Sequence, residues 1–191
     1  MARAFKHTRK GITGYLEPSE RDLIRRLFQD IIGMLEPEDA AGEDPLVALV
    51  GLDLNATRPR DSALLRLLPD AVREDDAGAL EFRRLTERSL REEKLAALRA
   101  SSLLLERNHL QLSEEQALLF ARAVNDVRLV LADRLKIRTD EDAQALHDID
   151  DWSQAEDVDT YLALVYNFLT WLQEALMQAL LDGLGHASES Q

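Results

Sequence analysis

The sequence predicts a mainly α fold: a single-domain, multi-helix bundle with a short N-terminal β-hairpin. Three observations carry this expectation. Apolar residues recur at three- and four-residue spacing along most of the chain, as one face of a helix requires. No alternating strand and helix units follow residue 16, which argues against a parallel-sheet nucleotide fold. Finally, 191 residues at 46% hydrophobic and 31% charged suit one globule, long enough to bury about 70% of the surface its unfolded chain exposes. The domain is expected to span 1–185, with 1–16 as hairpin or arm and 186–191 as a disordered tail.

The elements are justified in turn. Phe5, Ile12, Tyr15 and Leu16, with Gly11 and Gly14, fit two short strands turning near Arg9 to Gly11. Pro18 in a first turn, with Glu20 and Asp22 near the positive helix N-terminus, opens a helix. Its stripe is Leu23, Ile24, Leu27, Phe28, Ile31, Ile32 and Leu35. Residues 36–44, with five acids, Pro37 and Gly42, read as a solvated linker. Pro45 to Leu54 is apolar enough for a short helix. Asp61 or Ser62 caps another, Ala63 to Leu68, which Pro69 stops.

Asp75 or Asp76 caps a long helix reaching about Arg107. In its first half Phe82, Leu85 and Ser89 share the apolar face, opposite Arg84, Arg88 and Arg91. Its second half, 95–105, is apolar nearly all round. It is expected to be buried on every side, at the centre of the fold or in a subunit interface. Ser113 with Gln116 forms a capping box for the next helix, whose apolar face runs from Ala117 to Leu135. Residues 139–159 hold nine acids and no base, and read as loop, short helix near Asp142 to Ile149, and loop. The last helix runs from about Val158 to Leu184. Its stripe is Tyr161, Val165, Phe168, Leu172, Leu176 and Leu180, widened by Leu164 and Trp171, and Gly183 and Gly185 end it.

Composition narrows function. The absence of cysteine excludes disulfides, thiol catalysis and thiolate metal sites, and favours a reducing compartment. Arg3, Lys6, Arg9 and Lys10 precede no apolar signal core, and the longest charge-free stretch, Thr160 to Gln173, is too short to span a bilayer. A cytoplasmic location is the expectation. The net charge of −13 disfavours nonspecific binding to DNA, because the phosphate term is repulsive overall.

The catalytic inventory is empty. There is no GxxxxGK[ST], GxGxxG, GxSxG or HExxH. The acidic run from His147 to Asp151 with Glu156, Asp157 and Asp159 lacks the glycine of a calcium loop. Glu106 to His109 supplies one Glu-x-x-His element where a di-iron bundle needs two. No catalytic residue, cofactor or metal ligand is therefore assigned. Two polar groups remain. Arg83, Arg84, Arg88, Arg91 and Lys94 form the candidate nucleic-acid or partner face, interleaved with Glu81, Glu87, Glu92 and Glu93 as solvated helix pairs would be. Asn125, Asp126 and Arg128 sit in an otherwise apolar helix and must find partners as a buried polar network. Arg84 or Arg88 is the expected mate of Asp126.

Two segments carry a resemblance. One is DSALLRLLPDA, Asp61 to Ala71, continuing through Asp75 and Asp76 to EFRRLTE, Glu81 to Glu87, and Lys94. The other is AVNDVRLVL, Ala123 to Leu131, closing on Leu135 to Ile137. Together they resemble the actinobacterial domain-of-unknown-function family two-zero-one-seven, over most of the chain. A tyrosine usual in that family after Pro-Asp-Ala is Val72 here. The resemblance brings no catalytic residues. It implies a regulatory setting, since members are sometimes labelled transcriptional regulators and often encoded beside a Clp-protease adaptor.

The expected function is a non-enzymatic cytoplasmic interaction or regulatory protein acting as a homodimer, with a protein partner and no membrane. The alternatives are a DNA-binding regulator using the Arg83 to Arg99 face or the Arg3 to Lys10 arm, and a metal-assisted hydrolase using the acidic segment 140–159.

Overall fold

Residues 3–36, 53, 56–72, 74–147, 149, 152–154 and 157–188 are described by a computed structural model. Strand β1 is Arg3–Thr8 and β2 is Gly11–Tyr15, joined antiparallel with Thr8 opposite Gly11. The turn needs glycine at 11. Its φ is +102°, and a Cβ there would lie 2.5 Å from the Leu112 carbonyl oxygen.

That carbonyl belongs to a third strand, which the sequence pattern does not predict. Residues 107–112 read as a link between helices, but His109–Leu112 forms β3, antiparallel to β2, giving the order β1-β2-β3. Four residues alternating exposed and buried are too short for periodicity to register. The inner row holds Ile12, Leu110 and Leu112, all buried.

Helix α1 is Pro18–Leu35, with a capping box between Glu17 and Glu20. It buries Ile24, Phe28, Ile31, Ile32 and Leu35, as its stripe predicts. Helix α2, Ser62–Leu67, is capped by Asp61, which accepts from the Ala63 amide at 2.8 Å. Helix α3, Asp76–Leu104, is capped by Asp75 and ends a turn before Arg107. The expected linker at 36–44 and the short helix expected at 45–54 lie outside the described residues, apart from Glu36 and Asp53.

Helix α3 corrects two expectations. Phe82 and Leu85, the expected inward face, are 47% and 53% exposed, while Arg83 and Glu87 lie inside at 5% and 7%. The interior here offers a carbonyl and a carboxylate to bind, so the charged edge turns in. The stretch 95–105 is likewise not at the centre of the fold, because within the single chain one side of it faces solvent. Leu95, Ala97, Leu98, Ser101 and Leu105 are buried, yet Leu103 is 67% exposed.

Helix α4, Glu114–Arg134, opens on the expected Ser113–Gln116 capping box. Its Phe120 ring lies 5.9 Å from Phe28 and 6.3 Å from Phe5, tying hairpin and α1 to the core. The helix closes on Lys136 at φ 59°, after which the Ile137 amide donates to the Ala132 carbonyl at 2.8 Å, a Schellman closure. Helix α5 is Asp140–His147, followed by a single 3₁₀ turn at Trp152–Gln154.

Helix α6, Val158–Ser188, continues past Gly183 and Gly185 instead of ending there. Gly183 has another use. A Cβ on it would come within 2.8 Å of the His7 ring, so its bare backbone is what lets β1 lie against the helix. Among the described residues no helix is long and apolar enough to cross a membrane.

Candidate functional site

The basic residues of α3 do not form one open positive face. Arg83 donates to the Leu68 carbonyl at 3.1 Å and to Asp70 at 2.7 Å, and pairs with Glu87. The second Glu87 oxygen takes Arg91 at 2.5 Å, and Arg91 also donates to the Leu35 carbonyl at 2.7 Å. One carboxylate thus fastens the end of α1, the middle of α3 and the segment after α2. Arg84 and Arg88 are half-buried with acids beside them, Glu81 at 3.8 Å and Glu92 at 3.3 Å. Arg99 meets Glu36 at 2.8 Å.

Lys94 crosses to α4 and donates to Asp126 at 2.6 Å. The expected partners, Arg84 and Arg88, lie too far towards the start of α3, and only Lys94 comes level with this carboxylate. Burial pushes the Asp126 carboxyl up, and the Lys94 ammonium opposes that rise. Arg128 leaves this pair entirely. It donates to Thr170 Oγ1 at 3.0 Å and Gln173 Oε1 at 2.7 Å, with its guanidinium 5.3 Å from the Tyr166 ring centre. Asn125 is half-buried and belongs to neither cluster.

A third cluster was not read from the sequence. Buried Asp133 accepts from Ser62 at 2.5 Å and Arg138 at 3.0 Å, with Arg66 at 3.7 Å. Burial would raise this carboxyl, but these donors and charges hold it below the usual range. The available signal was a lone acid in the apolar run Leu129 to Leu135. Beside it Arg134 meets Asp61, the α2 cap, at 2.6 Å.

Interior charges are therefore committed to one another. A cavity between Leu68, Pro69, Phe82 and Arg83 has a volume of about 20 Å³, room for one water and not a metabolite. Among the described residues no three His, Asp or Glu side chains converge as a metal needs. Asp148, Asp150, Asp151 and Glu156 of the acidic segment lie outside them.

Apolar groups remain in solvent. On α6, Leu181 and Leu184 are 58% and 61% exposed, and Met177 lies on the same side. Arg128 of α4 meets Thr170 and Gln173 of α6. Phe120, two turns earlier on α4, touches Phe5 of the strand that lies on Gly183. The two helices therefore run antiparallel, which sets exposed Leu118 level with the last turns of α6.

The sequence that folds this way matches a known family. DUF2017, a domain of unknown function, matches residues 2–180. The chain belongs to that family. Relatives of this chain carry a functional name. The oxidative stress regulator AosR of Mycobacterium tuberculosis and that of Mycobacterium bovis are each 34% identical over 140 residues, 64% of this chain and 64% of theirs. The match thus spans under two thirds of their length. A candidate oxidative stress regulator AosR of Mycobacterium leprae is 34% identical over 183 residues, 86% of this chain and 80% of its own. No solved structure matches this DUF2017 chain.

Proposed function

We propose that this protein is a cytoplasmic regulator that acts by binding, as a homodimer, and not by catalysis. The observation that carries the dimer is the apolar strip of Met177, Leu181 and Leu184 beside Leu118, which a second copy would cover. A two-fold axis across α6 would set each strip on its equivalent, the isologous contact usual in dimers. The regulatory part draws support from the mycobacterial relatives named as oxidative stress regulators. This chain has no cysteine, so it would receive an oxidative signal through a partner or another chemistry, never through a thiol of its own.

Size-exclusion chromatography with light scattering tests the dimer. The wild-type chain is expected to run as a dimer at micromolar concentration. The Leu181→Glu/Leu184→Glu variant, with unchanged helical circular dichroism, should run as a monomer. A wild-type chain that stays monomeric throughout that range would remove the dimer.

A further inference from the structure

The sheet has a second face. Strand pairing sets Lys6 opposite Thr13 and Thr13 opposite Gln111, then Tyr15 opposite His109. These residues alternate with the buried Ile12, Leu110 and Leu112, so they share the side turned away from the core. Lys6, His109 and Gln111 are exposed, and Thr13 and Tyr15 of the central strand are half-buried. The Tyr15 and His109 rings lie 5.0 Å apart at 54°. Arg9 and Lys10 are exposed at the hairpin turn, and Arg107 is exposed just before β3.

The charge of this region runs against the rest of the molecule. The chain carries −13, yet residues 1–16 hold Arg3, Lys6, Arg9 and Lys10 and no acid. The α3 arginines described above each stand beside a carboxylate. Among the described residues Lys6, Arg9, Lys10 and Arg107 have no ion-pair partner. The neighbouring acids bound the patch without entering its rows. Glu17 and Glu20 are engaged in the α1 cap, Glu106 precedes Arg107, and Glu114 and Glu115 begin α4.

We propose that the open face of this sheet binds single-stranded nucleic acid. Bases would stack on the Tyr15–His109 pair, and phosphates would meet Lys6, Arg9 and Lys10. Thr13 would hydrogen-bond base or sugar edges together with Oε1 of Gln111, whose Nε2 donates to the Lys10 carbonyl at 3.0 Å. An antiparallel sheet with surface aromatics and a basic rim takes unpaired bases because only those can lie flat on its rings. A duplex keeps its bases stacked and would use the cations alone. The proposal does not rest on self-association: a strict monomer that binds the strand would sink the dimer and leave this face intact.

Fluorescence anisotropy with a labelled oligo-dT of about 20 nucleotides tests it on the full chain. At ~50 mM salt the wild type is expected to bind in the micromolar range. Three phosphate contacts at about 0.7 each predict a log–log salt slope of about −2. Lys6→Glu/Lys10→Glu should weaken binding more than tenfold. His109→Ala should weaken it about fivefold and leave the salt slope unchanged, which separates stacking from charge. All substituted positions are exposed, and circular dichroism confirms that each variant is folded. No binding by the wild type would overturn the proposal. So would equal affinity for a duplex of the same length, or a His109→Ala variant indistinguishable from wild type.

Discussion

Burying the Asp126 carboxylate between Val124 and Val127 would cost several kcal/mol without a partner, and Lys94 at 2.6 Å is that partner. Removing the ammonium strands the acid. Lys94→Ala should lower unfolding free energy by about 3–5 kcal/mol in urea denaturation. The double change Lys94→Met/Asp126→Leu should recover most of that, and a double variant as weak as the single would show that the pair is not the cause. Acid stability follows from three other carboxyls. Arg134 beside Asp61, Arg58 and Arg83 beside Asp70, and the donors on Asp133, which outweigh its burial, hold all three below their usual value of 3.8. Each binds its proton less tightly folded than unfolded, so its stabilisation is present above 3.8 and is lost as pH falls through the folded values. Asp126 has the opposite sign, since its raised carboxyl gives up stability as pH rises from 3.8 through its folded value. Unfolding midpoints measured downward from neutral pH should therefore fall below about pH 4. Asp133→Asn should start less stable and show a shallower acid limb.

At the scale of elements, caps and close approaches decide where helices and strands end. Ser113 accepts from the Gln116 amide at 3.2 Å to open α4, and Ser113→Ala should cost about 1 kcal/mol, read from thermal melts. Gly14 in β2 lies under the Phe5 ring, where an added Cβ would sit 2.6 Å from ring carbons. Gly14→Ala should thus overpack the hairpin by about 1–3 kcal/mol, and a neutral result would mean that Phe5 swings aside freely. Both caps at Asp61 and Ser113 were legible as residues, because side-chain oxygens before an apolar run act within one turn. The stripe of α1 was legible for the same local reason. Strand β3 was not, since its partner β2 lies about a hundred residues away and its four residues carry no period of their own. The inward turn of Arg83 and Glu87 was also hidden, because the Leu68 carbonyl and Asp70 that receive Arg83 come from another segment.

The whole molecule is strongly acidic, and any two copies that meet bring together chains of −13 each. Self-association through Leu181 and Leu184 should therefore tighten as salt screens that repulsion, while strand binding at the sheet should loosen. Sedimentation at low and high ionic strength reads the first trend and anisotropy the second. A dimer that dissociates on adding salt would point to an ionic contact in place of the apolar strip. By itself the sequence determined the helical class, the N-terminal hairpin, most helix starts and the family, because periodicity, capping and short motifs act over a few residues. Only the tertiary structure decided which cation meets Asp126, which face of α3 turns inside, and that His109 completes a sheet beside Tyr15. Those outcomes depend on register between segments far apart in the chain, where a shift of one helical turn trades Lys94 for another residue while the pattern of apolar positions stays the same.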